Sequence, residues 1–453
     1  MGPMGSLILG VLLILFLLLR LRLHPFLALI LSALTCALVS DRIPVASAVQ
    51  TVGLGFADLM GRVGILLVMA AIVGACLVES GAADKIIRSF ARLFGEGREH
   101  YSFLTSSFIL SMPVFFDTVF YLLAPLVRAA YARRKKDYTL MICAAAAGGA
   151  ITHALVPPTP GPILVSETLA VPLGLTFVVG TVVSIVPAIV GGIFYARLLN
   201  RRLIITPRPM YGVTNEELEE TASRPESELP SLAASLAPVL VPISLISSAT
   251  VATLMLDEGS SLRRTILLTG NTDVAFILGA SAAIFLVWSR GKSTIPQISE
   301  TLEPAVTSGT SIAFITCAGG AFGKVLTDAG VGEMIAGAAR DWGFSLLTLA
   351  FLTAALLRIA QGSATVAMVT TAGIVAPAVL SAEMAFHPVY LVAAIGFGAT
   401  TTPWMNDSGF WIVGKMGGLT ESETLKVWTA LLTVIAITGF IWTWLLSTFV
   451  PLV

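Results

Sequence analysis

The sequence predicts an all-α polytopic membrane protein made of two inverted-topology repeats, each with a re-entrant helical hairpin and an unwound membrane helix. Three observations carry this prediction. The chain is too apolar for water, its apolar runs come in helix lengths on either side of one polar segment, and a pattern in the first half recurs in the second at a fixed offset.

Hydrophobic residues make up 56% of the 453 and charged residues only 12%, with a mean hydropathy of +0.90, against the roughly half-apolar, quarter-charged balance of soluble domains. A bilayer is the solvent this composition suits. Lys plus Arg equals Asp plus Glu at 27 each, and no basic tail is present, which argues against a nucleic-acid partner. Cys36, Cys76, Cys143 and Cys317 lie in apolar stretches at unrelated spacings. They read as small core residues, with no metal-binding or disulfide pattern. The first apolar run, Leu7 to Leu19, meets Arg20, Arg22, His24 and Pro25 rather than a small-residue cleavage site, so it is expected to be a retained span.

Further apolar runs follow from Phe26 to Val39, Val63 to Val78, Leu140 to Val156, Leu173 to Ala196, Leu236 to Leu256, Val274 to Trp288, Val306 to Ala321, Leu346 to Leu357, Pro388 to Thr401 and Val427 to Leu446. A span needs about 20 apolar residues, so several of these are adequate and others are short or broken. The long polar segment 200–230 reads as a solvated linker between a first repeat, 1–199, and a second, 231–453. Ala75 to Ile86 parallels Lys324 to Ile335 at an offset of 249 residues, and at the same offset Gly149-Ala150 and Thr152 fall on Gly398-Ala399 and Thr401. Duplication of this kind is a frequent sign of a transporter with its site between the repeats.

Positive charge sets the expected orientation. Lys85, Arg88, Arg92 and Arg98 precede the segment 101–127, and Arg128, Arg133, Arg134, Lys135 and Lys136 follow it, which places both flanks in the cytoplasm. Its two apolar arms, each of about a dozen residues, are short for a crossing, so it is expected to dip in and return with its tip at Pro113 to Asp117. The second-half equivalent, 344–380, breaks at Arg358 to Thr365 and has no basic cluster on its flanks. It is expected to enter from outside, which inverts the second repeat.

Two further segments are expected to be broken helices, 140–162 and 388–411. Pro157, Pro158, Pro160 and Pro162 cannot sit in one continuous helix, because each lacks an amide donor and crowds the preceding turn. Non-helical backbone at membrane depth must be buried or line an aqueous cavity. Half-helix N-termini at such gaps aim unpaired N–H groups and partial positive charge at the opening, which suits a carboxylate. Thr152, His153 and Thr159 add side-chain donors at the first break; Thr400, Thr401, Thr402, Asn406 and Ser408 add them at the second. The alternative is a plain proline kink with threonines bonded back to their own helices.

Ionisable residues at membrane depth are expensive and face a partner or an aqueous path. Arg358, beside Gln361, Ser363 and Thr365, offers a fork to a substrate carboxylate; the alternative is an internal pair with an aspartate. Asp117 and Asp407 are candidate proton carriers, with structural pairing or helix capping as the alternative for each. His153 is either a substrate donor or a satisfied core histidine. Glu79 and Asp328, at matching repeat positions before Gly81 and Gly330, read as helix ends. Gly319 to Lys324 lacks the spacing of a phosphate loop, and no nucleophile–base pair or zinc motif is visible. Hydrolysis and primary active transport lose support.

Taken together, Pro113-Val114-Phe115-Phe116-Asp117, Thr152-His153-Ala154-Leu155-Val156-Pro157-Pro158-Thr159-Pro160-Gly161-Pro162, Ala360-Gln361-Gly362-Ser363-Ala364-Thr365-Val366-Ala367 and Asn406-Asp407-Ser408-Gly409-Phe410-Trp411 resemble the gluconate:proton symporter (GntP) family of the ion transporter superfamily. The resemblance covers nearly the whole chain. It implies a non-enzymatic secondary transporter without cofactors, importing gluconate or a related hydroxy acid with protons across the cytoplasmic (inner) membrane. It also implies elevator-type scaffold and transport domains and a homodimer. Sodium is the alternative coupling ion, glycerate or D-serine the alternative substrate, and a channel the rival mechanism. Many members carry Ser-His-Val where this chain has Pro403-Trp404-Met405, so Trp404 is expected to shift substrate preference.

Overall fold

In a computed structural model, all regular structure among the described residues is helical. Those residues are 1–95, 97–206, 208, 225–257, 259–290, 294–331, 334, 345–381, 384–405 and 407–452. The first half runs α1 (Pro3–Leu15), α2 (Pro25–Val39), α3 (Ala48–Glu79), α4 (Ala82–Phe94), α5 (Glu99–Leu110), α6 (Phe116–Arg134), α7 (Tyr138–Leu155), α8 (Pro160–Thr168) and α9 (Leu173–Arg202). The second half runs α10 (Leu232–Met255), α11 (Ser261–Thr269), α12 (Thr272–Ser289), α13 (Ile295–Asp328), α14 (Leu346–Gln361), α15 (Ala364–Ser381), α16 (Val389–Thr400), α17 (Ser408–Met416) and α18 (Glu421–Phe449).

Among the described residues, five helical segments are long and apolar enough to cross a membrane, or six if the bent segment 45–79 is one span. The chain is a multi-pass membrane protein.

The offset of 249 residues read from a few side chains also governs the helices. Shifted by that amount, the starts of α2, α3, α5, α6, α7, α8 and α9 fall within two residues of the starts of α12, α13, α14, α15, α16, α17 and α18. Gly81 after α3 and Gly330 after α13 both take left-handed backbone, with φ 73° and 78°, a conformation that costs glycine little. Glu79 and Asp328 are the last residues of α3 and α13, as read from the sequence.

Two helix pairs turn sharply at their tips. α5 and α6 meet at Ser111 to Phe115, and α14 and α15 meet at Gly362-Ser363, where Gly362 has φ 86°. The expected short arms are only partly found. α5 has 12 residues, but α6 has 19 and carries its chain past the apolar run to Arg134; the basic residues that follow position 127 extend the helix instead of ending it. α14 and α15 have 16 and 18 residues. The flanking residues Arg340, Asp341 and Glu383 lie outside the described residues, as do Glu216, Glu217, Glu219 and Glu220 of the polar segment.

The long helices α3 and α13 pack on one another and, with α2, α10 and α12, form one layer. α5 to α9 and α14 to α18 form the other, in which α7 and α16 are in contact and are almost wholly buried. α15 bridges the layers by packing against both α13 and α8. The ends of the polar segment are held by charge pairs. Arg208 donates to Glu423 (2.6 Å), and Glu226 accepts from Lys85 (3.1 Å) and from Arg92.

Close helix approach depends on glycine at specific points. A Cβ on Gly148 of α7 would lie 2.3 Å from the Leu104 carbonyl oxygen and 2.2 Å from Ser107 Oγ on α5. Gly148→Ala is therefore expected to push α5 off α7 and destabilise the protein by about 1–3 kcal/mol. The thermal midpoint of the detergent-solubilised variant measures this; an unchanged midpoint would mean that the two helices are free to separate.

Candidate functional site

A cavity of about 610 Å³ lies where both helix tips and both helix breaks converge, within the usual size of a small-molecule site. The α5–α6 tip contributes Phe115 to Thr118, the first break His153 and Pro160, the α14–α15 tip Arg358 and Gly362 to Thr365, and the second break Thr400 and Asp407 to Gly409. α18 adds Trp428 and Leu432.

The first break has a simple cause. α7 stops at Leu155, Val156 is extended (φ −116°, ψ 119°), and α8 restarts at Pro160. Here one expectation fails. Proline at the first helical position is preorganised for a helix start, but with Pro160 and Pro162 flanking Gly161 the first turn of α8 has little amide hydrogen to aim at an anion.

The second break is more polar. Thr401 is extended, and Thr402 takes φ 46°, left-handed backbone that a β-branched residue seldom adopts. Its hydroxyl pairs with Thr433 of α18 at 3.1 Å. α17 then begins after Asp407, whose carboxylate caps the Phe410 amide at 3.1 Å.

Arg358 and Asp407 form a buried pair. They are 3% and 7% exposed, and Arg358 Nη2 lies 3.0 Å from Asp407 Oδ1. Asp407 Oδ2 accepts a second bond from Trp428 Nε1 at 2.7 Å. The carboxylate is thus fully engaged, whereas the guanidinium is not: Arg358 Nε and Nη1 have no hydrogen-bond partner among the described residues. A buried cation with unused donors beside a cavity is unsatisfied until an acceptor arrives. Of the two readings of Arg358, the internal pair with an aspartate is present on Nη2, while Nε and Nη1 are left without a partner among the described residues.

The other predicted residues divide sharply. His153 lines the cavity with its ring edge-on to Phe115, and its Nδ1 has no hydrogen-bond partner among the described residues. The Ser363 hydroxyl caps α15 by accepting from Val366 N (3.3 Å), and Ser363, Thr365, Ser408 and Asp117 all line the cavity. No described residue donates a hydrogen bond to the Asp117 carboxylate. Thr152, Thr159, Thr401 and Thr402 do not line the cavity. Thr152 is bonded to the Gly148 carbonyl (2.9 Å), Thr159 to Val156 (2.7 Å) and Thr401 to Phe397 (3.2 Å), because a threonine hydroxyl in or beside a helix finds the carbonyl three or four residues back. Gln361 ends α14, and its side chain, like the whole of Asn406, lies outside the described residues.

Trp404 is 44% exposed and outside the cavity wall. Its indole donates to the Ile359 carbonyl at 2.9 Å, so it touches the site only through the chain next to Arg358. Trp428 was not singled out from the sequence, and Phe116 only as part of the expected tip at Pro113 to Asp117.

These assignments separate in a simple test. Thr152→Val keeps the shape and removes only a back-bond, so uptake affinity should stay within about twofold. A tenfold loss of affinity in uptake assays would place Thr152 on the solute after all.

A family model described as GntP family permease matches residues 3–449. A gluconate permease of Pseudomonas aeruginosa is 34% identical over 430 residues, covering 94% of each chain. Two Escherichia coli proteins are comparable: the inner membrane permease YgbN at 33% identity, covering 96% of each chain, and the Gnt-II system L-idonate transporter at 31%, covering 95% of this chain and 96% of that one. Among solved structures, the Alcanivorax borkumensis YdaH transporter superimposes with a TM-score of 0.65 at 15% identity, covering 95% of this chain and all of the other. Neisseria gonorrhoeae MtrF does so with a TM-score of 0.66 at 16% identity, covering 97% of both. The chain belongs to the GntP permease family, a family of membrane transporters and not of enzymes.

Proposed function

We propose that the protein imports a sugar acid, gluconate or a close relative such as L-idonate, with protons across the cytoplasmic (inner) membrane. One observation carries the reading: Arg358 lines a cavity built from both tips and both breaks, and two of its buried guanidinium nitrogens have no partner among the described residues. A carboxylate is the group that satisfies them. Ser363, Thr365, Ser408 and His153 then face the hydroxyl-bearing carbons of the same solute.

Of the two candidate carboxylates, Asp117 is the better proton carrier. Asp407 already accepts from Arg358, Trp428 and the Phe410 amide, and protonating it would cancel the charge of the ion pair and weaken the bonds to the oxygen that takes the proton. Asp117 has no such commitment and lies on the cavity wall. In the proposed cycle Asp117 takes a proton from outside, the solute seats on Arg358, and both are released inside.

The recurrence of helix starts at 249 residues supports two repeats, and the uneven basic flanks support their inverted orientation. On this reading α3 and α13 belong to a scaffold, the two hairpins and broken helices to a transport domain that moves as an elevator, and the working unit is a homodimer. Uptake of labelled gluconate by proteoliposomes under an imposed proton gradient tests the proposal, with L-idonate, glycerate and D-serine as competitors. Accumulation that a protonophore abolishes, and that the two sugar acids compete best, is the expected result. Accumulation that follows a sodium gradient at fixed pH would overturn proton coupling.

A further inference from the structure

Trp428 sits apart from the two repeat-related breaks and tips, on a π-helical turn of α18, Leu425–Thr429, a distortion often found at functional sites. It is 3% exposed. Its indole N–H bonds to Asp407 Oδ2 at 2.7 Å, and its ring stacks on Phe116 at 4.9 Å between centroids and 28° between planes. Phe116 begins α6 and adjoins Asp117. A contiguous chain therefore runs Arg358, Asp407, Trp428, Phe116, from one hairpin tip to the other.

The start of α17 is fitted to this indole. A Cβ on Gly409 would come within 2.6 Å of Trp428 Cζ2. α18 also holds the second break, through Thr433 to Thr402 and through Thr429 to the Pro403 carbonyl.

We infer that Trp428 is a positioning residue for the anion site: by holding Asp407 Oδ2 it confines that carboxylate to a single nitrogen of Arg358 and keeps the other two open for the solute. This role rests on the reading of Arg358 as the carboxylate receptor. Without the indole N–H, Asp407 Oδ2 keeps only the Phe410 amide and has a lone pair to spare beside an arginine with idle donors. The two close into an internal fork, and the solute must compete with it. The stack on Phe116 fixes the indole plane, which is how the first hairpin tip helps to set the second-half pair.

The test replaces Trp428 with phenylalanine and, separately, with 3-benzothienylalanine, which keeps the bicyclic shape and stack but has no N–H. The second substitution carries the test if the smaller ring leaves a void that unfolds the protein. Binding of gluconate and L-idonate to purified protein is measured by titration calorimetry, and KM and maximal rate by uptake in proteoliposomes. The expected result is affinity weaker by about tenfold, the loss of one hydrogen bond to a charged group, with KM raised in parallel and the maximal rate within about twofold. Unchanged affinity in the benzothienyl protein overturns the role of Trp428 alone. A wild-type protein that binds neither sugar acid overturns the substrate reading and this inference with it.

Discussion

Arg358→Gln is expected to weaken gluconate binding by at least about a hundredfold, because it removes a charged donor from a desolvated site. The same change leaves Asp407 buried without its cation, which costs a further few kcal/mol of stability, on the order of 3–5. Loss of uptake alone would therefore be ambiguous. The double variant Arg358→Gln with Asp407→Asn resolves it: a neutral pair restores much of the thermal midpoint, since neither charge is stranded, and binding stays absent. Recovery of binding along with stability would show that Arg358 only braces the fold. Arg358→Lys should be intermediate, as an ammonium supplies charge without the planar set of donors.

Asp117→Asn has the second large effect expected. With no titrating carboxylate free in the cavity wall, a proton gradient has nothing to act on, and the accumulation ratio should fall to unity. Counterflow should survive, because the solute still seats on Arg358 and the loaded unit still exchanges across the membrane. Measured side by side in proteoliposomes, retained counterflow with lost accumulation identifies the carrier. Retained pH-driven accumulation removes Asp117 from that role and returns attention to Asp407.

The parts of the site that could be read from the chain are those where sequence breaks a local rule. Prolines at 157, 158, 160 and 162 forbid a continuous helix whatever surrounds them, and α7 ends at Leu155 accordingly. Arg358 stands out because a cation inside an apolar run is costly wherever it lies. The helix ends at Gly81 and Gly330 were legible for the same local reason.

What was missed is tertiary. Trp428 is one aromatic in an apolar run, and only packing brings it to Asp407, 21 positions earlier, and to Phe116. Nothing in its neighbours announces that contact. The threonines show the opposite case. Thr152, Thr159 and Thr401 look like solute donors by composition, but the hydroxyl of each is bonded to a backbone carbonyl three or four residues back. Helix lengths were misjudged where charge continues a helix beyond its apolar part, as in α6 through Arg134. Trp404 stood out by its departure from the family pattern, and its indole turns to the Ile359 carbonyl, away from the cavity.

In the proposed cycle a sugar acid at Arg358 and a proton at Asp117 cross the membrane in one transport event. Proteoliposomes loaded with a trapped pH indicator and held at zero membrane potential, with no pH gradient and no sodium, test it directly. Adding gluconate outside is predicted to acidify the lumen in wild-type vesicles, and Asp117→Asn vesicles should take up the label without acidification. Gluconate entry with no lumenal acidification in the wild type would contradict the account.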